Sequence, residues 1–282
     1  MRGMFTCGVT DVFAEHGITF HGAAGISAGA VFGCNIKSRQ PGRAIRYILR
    51  YSRDPRFCGL RCLLKTGDLF GVDFCYRLLP EILDPFDRET FSRDPMEFYV
   101  GATDVHTGLP VRHRCTDGSG RDIAWMRASA SMPVVSRPVG VDGLELLDGG
   151  ISDPVPFEYM ESLGYDRNVL ILTQPQGYRK KKASALPLMR LALGKYPCIA
   201  HALEVRHELY NIQMERIDAM ERGGRALVIR PPESLGIPRT EKDPAELKRV
   251  YGLGRAEALR RLDEIRAFLA WNASAPETEE II

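Results

Sequence analysis

The feature that most constrains this chain is Gly25-Ile26-Ser27-Ala28-Gly29, a G-x-S-x-G pattern. The pattern sets a serine at the tip of a sharp strand-to-helix turn, a nucleophile elbow, where the chain crowds itself on both sides. Gly25 and Gly29 carry no Cβ to collide there, and Ala28 is nearly as small. The flanks supply the context that the pattern needs. Ile18-Thr19-Phe20-His21-Gly22-Ala23-Ala24 is a short apolar run that begins with β-formers. Ala28-Gly29-Ala30-Val31-Phe32-Gly33-Cys34 reads as a small, tightly packed helix.

A second chemical group stands downstream. Leu144-Glu145-Leu146-Leu147 runs into Asp148-Gly149-Gly150. A strand that ends on an acid places a carboxylate at the end of a sheet, where sites are usually built. The plainer alternative is an ordinary Asp-Gly turn. Between serine and acid, Glu97 to Thr103 and Leu109 to Arg114 read as strands of a hairpin joined through a Gly-containing loop. Ile123 to Ser131 reads as a helix stopped by Pro133.

The rest of the chain supplies a frame. Phe5, Val9, Val12 and Phe13 share one face of a helix over residues 3–15, with Gly17 as its C-terminal cap. Further on, strands are expected at 168–173 and 225–230, and helices at 198–222 and 244–270. Residues 37–95 are rich in Arg, Pro, Asp and Leu, with helical pieces at 42–52 and 72–83 punctuated by Pro55, Pro80 and Pro85. They are expected to form a helical insertion or cap over the sheet edge. With 282 residues, 44% of them hydrophobic, the chain can bury one large α/β domain over 1–271, leaving 272–282 as a short acidic tail.

Composition excludes several functions. A net charge of +2 gives no overall field for nucleic acid. Seven cysteines, an odd number in apolar surroundings, suit reduced thiols in a cytosolic protein. Cys58-x-x-x-Cys62 lacks a second ligand pair, and His106, His113 and Cys115 read as parts of a polar hairpin, so no metal and no cofactor are expected. No signal-peptide core and no membrane-length run occur, which points to the cytoplasm, at most peripheral to a membrane. The basic run Arg179-Lys180-Lys181-Lys182 precedes Arg190 and Lys195, with Leu186, Leu188, Met189, Leu191 and Leu193 nearby. It reads either as a contact with anionic membrane or as a solvated loop.

With serine and acid placed, the chain resembles the patatin-like phospholipases. Gly25-Ile26-Ser27-Ala28-Gly29 matches the family's elbow, and Asp148-Gly149-Gly150 its Asp-Gly-Gly motif. Ala128-Ser129-Ala130-Ser131-Met132-Pro133 is similar to the block that precedes that acid, and Ala102-Thr103-Asp104-Val105-His106-Thr107-Gly108 to a Thr-Asp-x-x-Thr-Gly turn. Tyr178-Arg179-Lys180-Lys181 and Arg206-His207-x-x-Tyr210-Asn211 are similar to a bacterial subfamily of patatin-like hydrolases.

The resemblance implies a three-layer α/β/α sandwich with a mostly parallel central sheet. It implies a Ser-Asp dyad without histidine, acting on lipid acyl esters as a phospholipase or lysophospholipase. Ser27 attacks the ester carbonyl. Asp148 takes the hydroxyl proton and later helps water release the acyl group, while the Ala28 N–H donates to the oxyanion. Gly149 and Gly150 belong to the same site. Arg2 and Gly3 match only the end of the family's glycine-rich oxyanion loop. The strand and glycines that open that pattern are therefore expected either upstream of Met1 or to be lacking, which would leave neighbouring strands unpaired. Two alternatives stand beside this reading. One is a triad completed by His201 or His207. The other is a truncated, impaired patatin-fold protein that binds lipid or a partner.

Overall fold

Helix α1 (Gly3–Glu15) buries Phe5, Val9, Val12 and Phe13, the four residues that the apolar spacing put on one face. It stops where Gly17 enters the left-handed region at φ 67°. The structure, a computed structural model, describes residues 1–270. The expected acidic tail lies outside the described residues.

After α1 come β1 (Gly22–Ile26) and α2 (Ala28–Lys37). The strand is shorter than the apolar run suggested, because the Ile18 N–H bonds back to the Phe13 carbonyl and belongs to the end of α1. Next are α3 (Arg43–Tyr51), α4 (Leu60–Thr66), a π-helix (Phe74–Leu83) and α5 (Arg88–Arg93). Pro80 lies inside the π-helix, whose wide turns tolerate its missing N–H. Tyr47, Ile48, Phe57, Phe74 and Leu79 from this segment share a core with Met4 and Phe5 of α1.

The central sheet follows: β2 (Glu97–Asp104), β3 (Pro110–Cys115), α6 (Gly120–Ser129), β4 (Val139–Val141) and β5 (Leu144–Asp148). A 3₁₀ turn (Gly149–Ile151) and α7 (Phe157–Ser162) lead to β6 (Asn168–Ile171). Then come α8 (Leu186–Ala192), α9 (Pro197–Arg222), β7 (Ala226–Ile229), α10 (Pro244–Arg260) and α11 (Leu262–Ala270). The single helix expected over 244–270 is two. Arg261 leaves the helical path, donating to the Val228 carbonyl and pairing with Glu264. Helices α1 and α10 cross where Gly8 meets the Tyr251 carbonyl and Gly254 meets the Phe5 carbonyl, with no room for a Cβ at either.

The sheet is mixed. β1 runs parallel to β2, and β6 parallel to β7, while β3 and β5 pair antiparallel with β2, and β4 antiparallel with β5. Register decides what this sheet presents. Gly101 of β2 faces Ile26 on one edge and Arg112 on the other. Ala102, the next residue, faces Asp148 and Val111. β1 and β5 therefore occupy the same edge of β2, end to end, and their ends meet between Gly101 and Ala102. Among the described residues, β1 has no strand on its other edge, and β6 pairs with β7 alone.

Alternation in β5 sorts the helices into layers. Leu146 packs with Ala30 and Cys34 of α2 and Trp125 and Met126 of α6. Its neighbour Leu147 packs with Leu186 of α8 and Ile199 and Leu203 of α9. The sheet thus lies between helical layers, the α/β/α sandwich expected from the resemblance. All seven cysteines are free thiols. No helix among the described residues is long and apolar enough to cross a membrane.

Candidate active site

Ser27 sits at φ 54°, ψ −117°, a backbone conformation that L-residues avoid at a cost of about 1–3 kcal/mol. Three features hold it there. A Cβ on Gly25 would stand 2.6 Å from the Gly29 carbonyl carbon and 2.8 Å from the Ala30 Cα, so only glycine admits the turn. The Ser27 N–H donates to Ser129 Oγ at 2.9 Å. The Ser27 carbonyl accepts from the Ala30 N–H at 3.0 Å as α2 begins. The crowding expected at Gly29 is absent: a Cβ there would meet nothing within 4 Å. The elbow is crowded on the Gly25 side only, because Gly29 lines a cavity.

Asp148, the last residue of β5, is 7% exposed. Its N–H donates to the Ser131 carbonyl at 2.8 Å, and its carbonyl accepts from Thr103 Oγ1 at 2.9 Å. Of the carboxylate oxygens, Oδ1 accepts from the Gly150 N–H at 2.8 Å, and Oδ2 accepts from Ser27 Oγ at 2.6 Å. Gly149 lies so close to the Gly101 carbonyl that a Cβ has no room. Burial pushes the Asp148 pKa up, against the pull of the Ser27 and Gly150 hydrogen bonds and the charges of Arg206 and Arg239. The result is a carboxylate more basic than usual, in contact with a hydroxyl. The Ala28 and Gly29 N–H groups, at the positive end of α2, have no acceptor among the described residues. Gly3 packs on this turn: a Cβ there would lie 2.8 Å from the Ala28 Cβ.

The sequence model described as patatin-like phospholipase matches residues 1–160, more than half of the 282-residue chain. The chain belongs to the patatin-like phospholipase family. A second model, a domain of unknown function (DUF6363), matches residues 196–270. Among curated proteins, the chain is similar to the uncharacterised protein YjjU of Escherichia coli, 31% identical over 183 residues, which is 62% of this chain and 49% of that protein. It is 28% identical over 170 residues to an uncharacterised NTE-family protein of Mycobacterium bovis, covering 60% and 45%. It is 27% identical over 176 residues to lysophospholipase nte1 of Aspergillus fumigatus, covering 58% and 11%. The chain thus spans about half the length (49%) of the first of these relatives. Among solved structures, VipD from Legionella pneumophila overlaps 93% of this chain and 65% of that chain, with a TM-score of 0.44 and 13% identity.

Among the described residues of this patatin-like chain, no histidine reaches the serine–aspartate pair. His207 Nδ1 lies 3.0 Å from the Glu204 carbonyl, its Nε2 lies 3.6 Å from Glu208, and His201 is exposed. Both oxygens of Asp148 are already engaged. Sequence reasoning noticed the Ala128-to-Pro133 block without its work. Ser129 anchors the Ser27 amide and the Ser131 carbonyl anchors the Asp148 amide, so one helix end fixes both residues.

A cavity of about 1210 Å³ opens over Ser27 and Asp148. Phe20 and Ala23 on the β1 side and Val169 and Leu170 of β6 are among its walls. The basic run divides at its edge. Arg179 pairs with Glu215 at 2.6 Å and Lys182 with Glu204 at 3.4 Å, while Lys181 is exposed. Lys180 is half-buried and lines the cavity. Elsewhere His113, Cys115 and Asp122 lie within 4.8 Å of one another. Asp122 Oδ2 accepts from the Thr116, Asp117 and Gly118 N–H groups, and Oδ1 faces His113 Nε2 at 2.7 Å. His113 also stacks on Trp125. This carboxylate staples the end of β3 to α6. His106 stands apart, 3.0 Å from Glu145.

Proposed function

We propose that this chain is a serine acyl hydrolase for lipid acyl esters, of the phospholipase or lysophospholipase type, with Ser27 as nucleophile and Asp148 as its base. The observation that carries the reading is the 2.6 Å hydrogen bond from Ser27 Oγ to Asp148 Oδ2. Ser27 Oγ attacks the ester carbonyl carbon while its proton passes to Asp148 Oδ2. The tetrahedral oxyanion takes the Ala28 N–H as donor. Collapse of the intermediate expels the alcohol, which leaves with the proton from Asp148. Water then attacks the acyl-serine, Asp148 takes its proton, and Ser27 recovers its own as the fatty acid leaves. Arg2, Gly3 and Gly150 complete the surroundings of the reacting atoms. Peripheral contact with an anionic membrane through Arg179, Lys181 and Lys182 belongs to the same reading. It is supported by Leu188 and Leu191 of α8, which are 69% and 81% exposed.

Hydrolysis of a micellar lysophospholipid tests the dyad. Ser27→Ala and Asp148→Ala are each expected to lower kcat/KM by about a thousandfold or more, and the double variant to be no worse, because groups acting as one unit are not additive. His201→Ala and His207→Ala are expected to keep most activity. A folded histidine variant as inactive as Ser27→Ala would replace the dyad with a triad.

A further inference from the structure

Arg43 and Arg167 line the cavity that also holds Ser27 and Asp148, the first paired with Asp84 at 3.4 Å and the second over the Phe268 ring. Four further cationic side chains line it too: Arg2, Lys180, Arg206 and Arg239. They come from the chain start, the loop before α8, the middle of α9 and the loop before α10. Neighbouring cations are paired outward. Arg179 meets Glu215, Lys182 and Arg190 meet Glu204, and Arg230 meets Asp218 and Glu221. Among the described residues, none of the four has an ion-pair partner.

Arg206 is instead held by main chain and Lys180 by a ring. Arg206 Nε donates to the Gly150 carbonyl, which sets its guanidinium beside the Asp148-Gly149-Gly150 turn. The backbone of Lys180 is clamped by Asn211, which accepts from the Lys180 N–H at 2.8 Å and donates to the Lys180 carbonyl at 3.0 Å. That clamp leaves Lys180 Nζ 5.0 Å from the centre of the Tyr210 ring. The Met1 amine donates to the Arg239 carbonyl at 2.5 Å, which brings Arg2 and Arg239 to the same mouth. Burial and the charges of Arg206, Arg239 and Arg2 pull the Lys180 pKa down to about 8. Arg206 is likewise shifted down, by burial first.

Gathering like charges away from water opposes folding unless an anion completes them. The acid within reach is Asp148, a single charge already holding two hydrogen bonds. The counter-charge is therefore expected from a ligand, beside the carbon that Ser27 attacks. A phosphate group offers several acceptor oxygens, which suit the forked donors of arginine and the point charge of lysine. A zwitterionic head group would return an ammonium to a cluster that already repels one. We propose that Arg2, Lys180, Arg206 and Arg239 form an anion subsite that selects acyl esters bearing a net-negative phosphate head group. This rests on the acyl-hydrolase reading above.

The test uses the full chain and detergent micelles carrying dioleoyl phosphatidate or dioleoyl phosphatidylcholine. The expected result is a kcat/KM about tenfold or more higher on phosphatidate, a preference that Lys180→Gln/Arg239→Gln reduces to near unity. The charge-keeping pair Lys180→Arg/Arg239→Lys is expected to retain it, which separates charge from folding. Equal rates on the two lipids, or a preference untouched in the Gln pair, would overturn the subsite. If the protein cleaves no ester, the hydrolase reading fails on its own. Calorimetric titration with inorganic phosphate then decides the subsite. Binding weakened about tenfold in the Gln pair upholds it, and no binding by the unsubstituted chain overturns it. Phosphate binding together with equal lipid rates would assign the site to free phosphate and also overturn the head-group proposal.

Discussion

The floor and the wall of one cavity treat charge in opposite ways. On the floor, Ser27 and Asp148 are tied down by Ser129, the Ser131 carbonyl, Thr103 and Gly150. On the wall, Lys180 and Arg206 are held through main-chain groups, and the charges of Lys180 and its arginine neighbours have no ion-pair partner among the described residues. Desolvation acts on both regions and gives opposite shifts. It raises the pKa of the acid, which makes Asp148 a better base, and lowers that of the lysine to about 8. A rigid, saturated pair is suited to moving a proton, whereas unsaturated charges are suited to meeting a ligand. The floor lies in the part of the chain that the patatin-like model covers, and most of the wall lies beyond residue 160.

The sharpest way to break this comparison is Asp148→Asn. A folded-state pKa raised above the unfolded value means that this group's contribution is full below the unfolded pKa and is lost as pH rises through the folded one. Above the unfolded pKa, Asp148 therefore costs stability. An asparagine side chain in its place keeps an acceptor for the Gly150 N–H and a donor for Ser27 without the buried charge. Calorimetry is expected to show Tm raised by about 2–4 °C for each kcal/mol relieved, while hydrolysis falls by about a thousandfold. A lower Tm together with lost activity would mean that Asp148 is structural first.

A smaller effect is expected at the wall. The folded pKa of Lys180, about 8, lies below its ordinary 10.5. Between those values the unfolded chain holds the proton and the folded chain does not, so stability from this group rises with pH across that window. The charged groups that act on Lys180 are Arg2, Arg206 and Arg239, and the Tyr210 ring lies beside its ammonium. Lys180→Met is expected to be more stable than the parent below pH 8, with the difference shrinking toward pH 10.5. A difference that does not change with pH would place the Lys180 ammonium in solvent, and the contrast between floor and wall would fail.

How much of this was legible in the sequence follows from distance along the chain. The elbow reads locally, because Gly25 must be small within four residues of the turn it permits. Asp148 reads locally as an acid closing a strand. That the two meet depends on β1 and β5 sharing one edge of β2, a register that no short window contains. The wall was hidden for a related reason. Lys180 stands in a run of four alike residues, and only Asn211, far along the chain, turns that one inward. Arg206 and Arg239 lie in no basic cluster at all. Gly29 shows the opposite error: the pattern suggested a steric need where the structure has open space. The break at Arg261 was invisible because it depends on the Val228 carbonyl across the core.

The central claim is that Ser27, activated by Asp148, is the nucleophile. Labelling with an alkyl fluorophosphonate, followed by mass spectrometry of the digested protein, tests it most directly. The expected result is one adduct, on the peptide that contains Ser27. It should be absent in Ser27→Ala and at least about a hundredfold slower in Asp148→Asn, in line with the loss of a general base. An adduct on another serine, or labelling of Ser27 at an undiminished rate in Asp148→Asn, would contradict it.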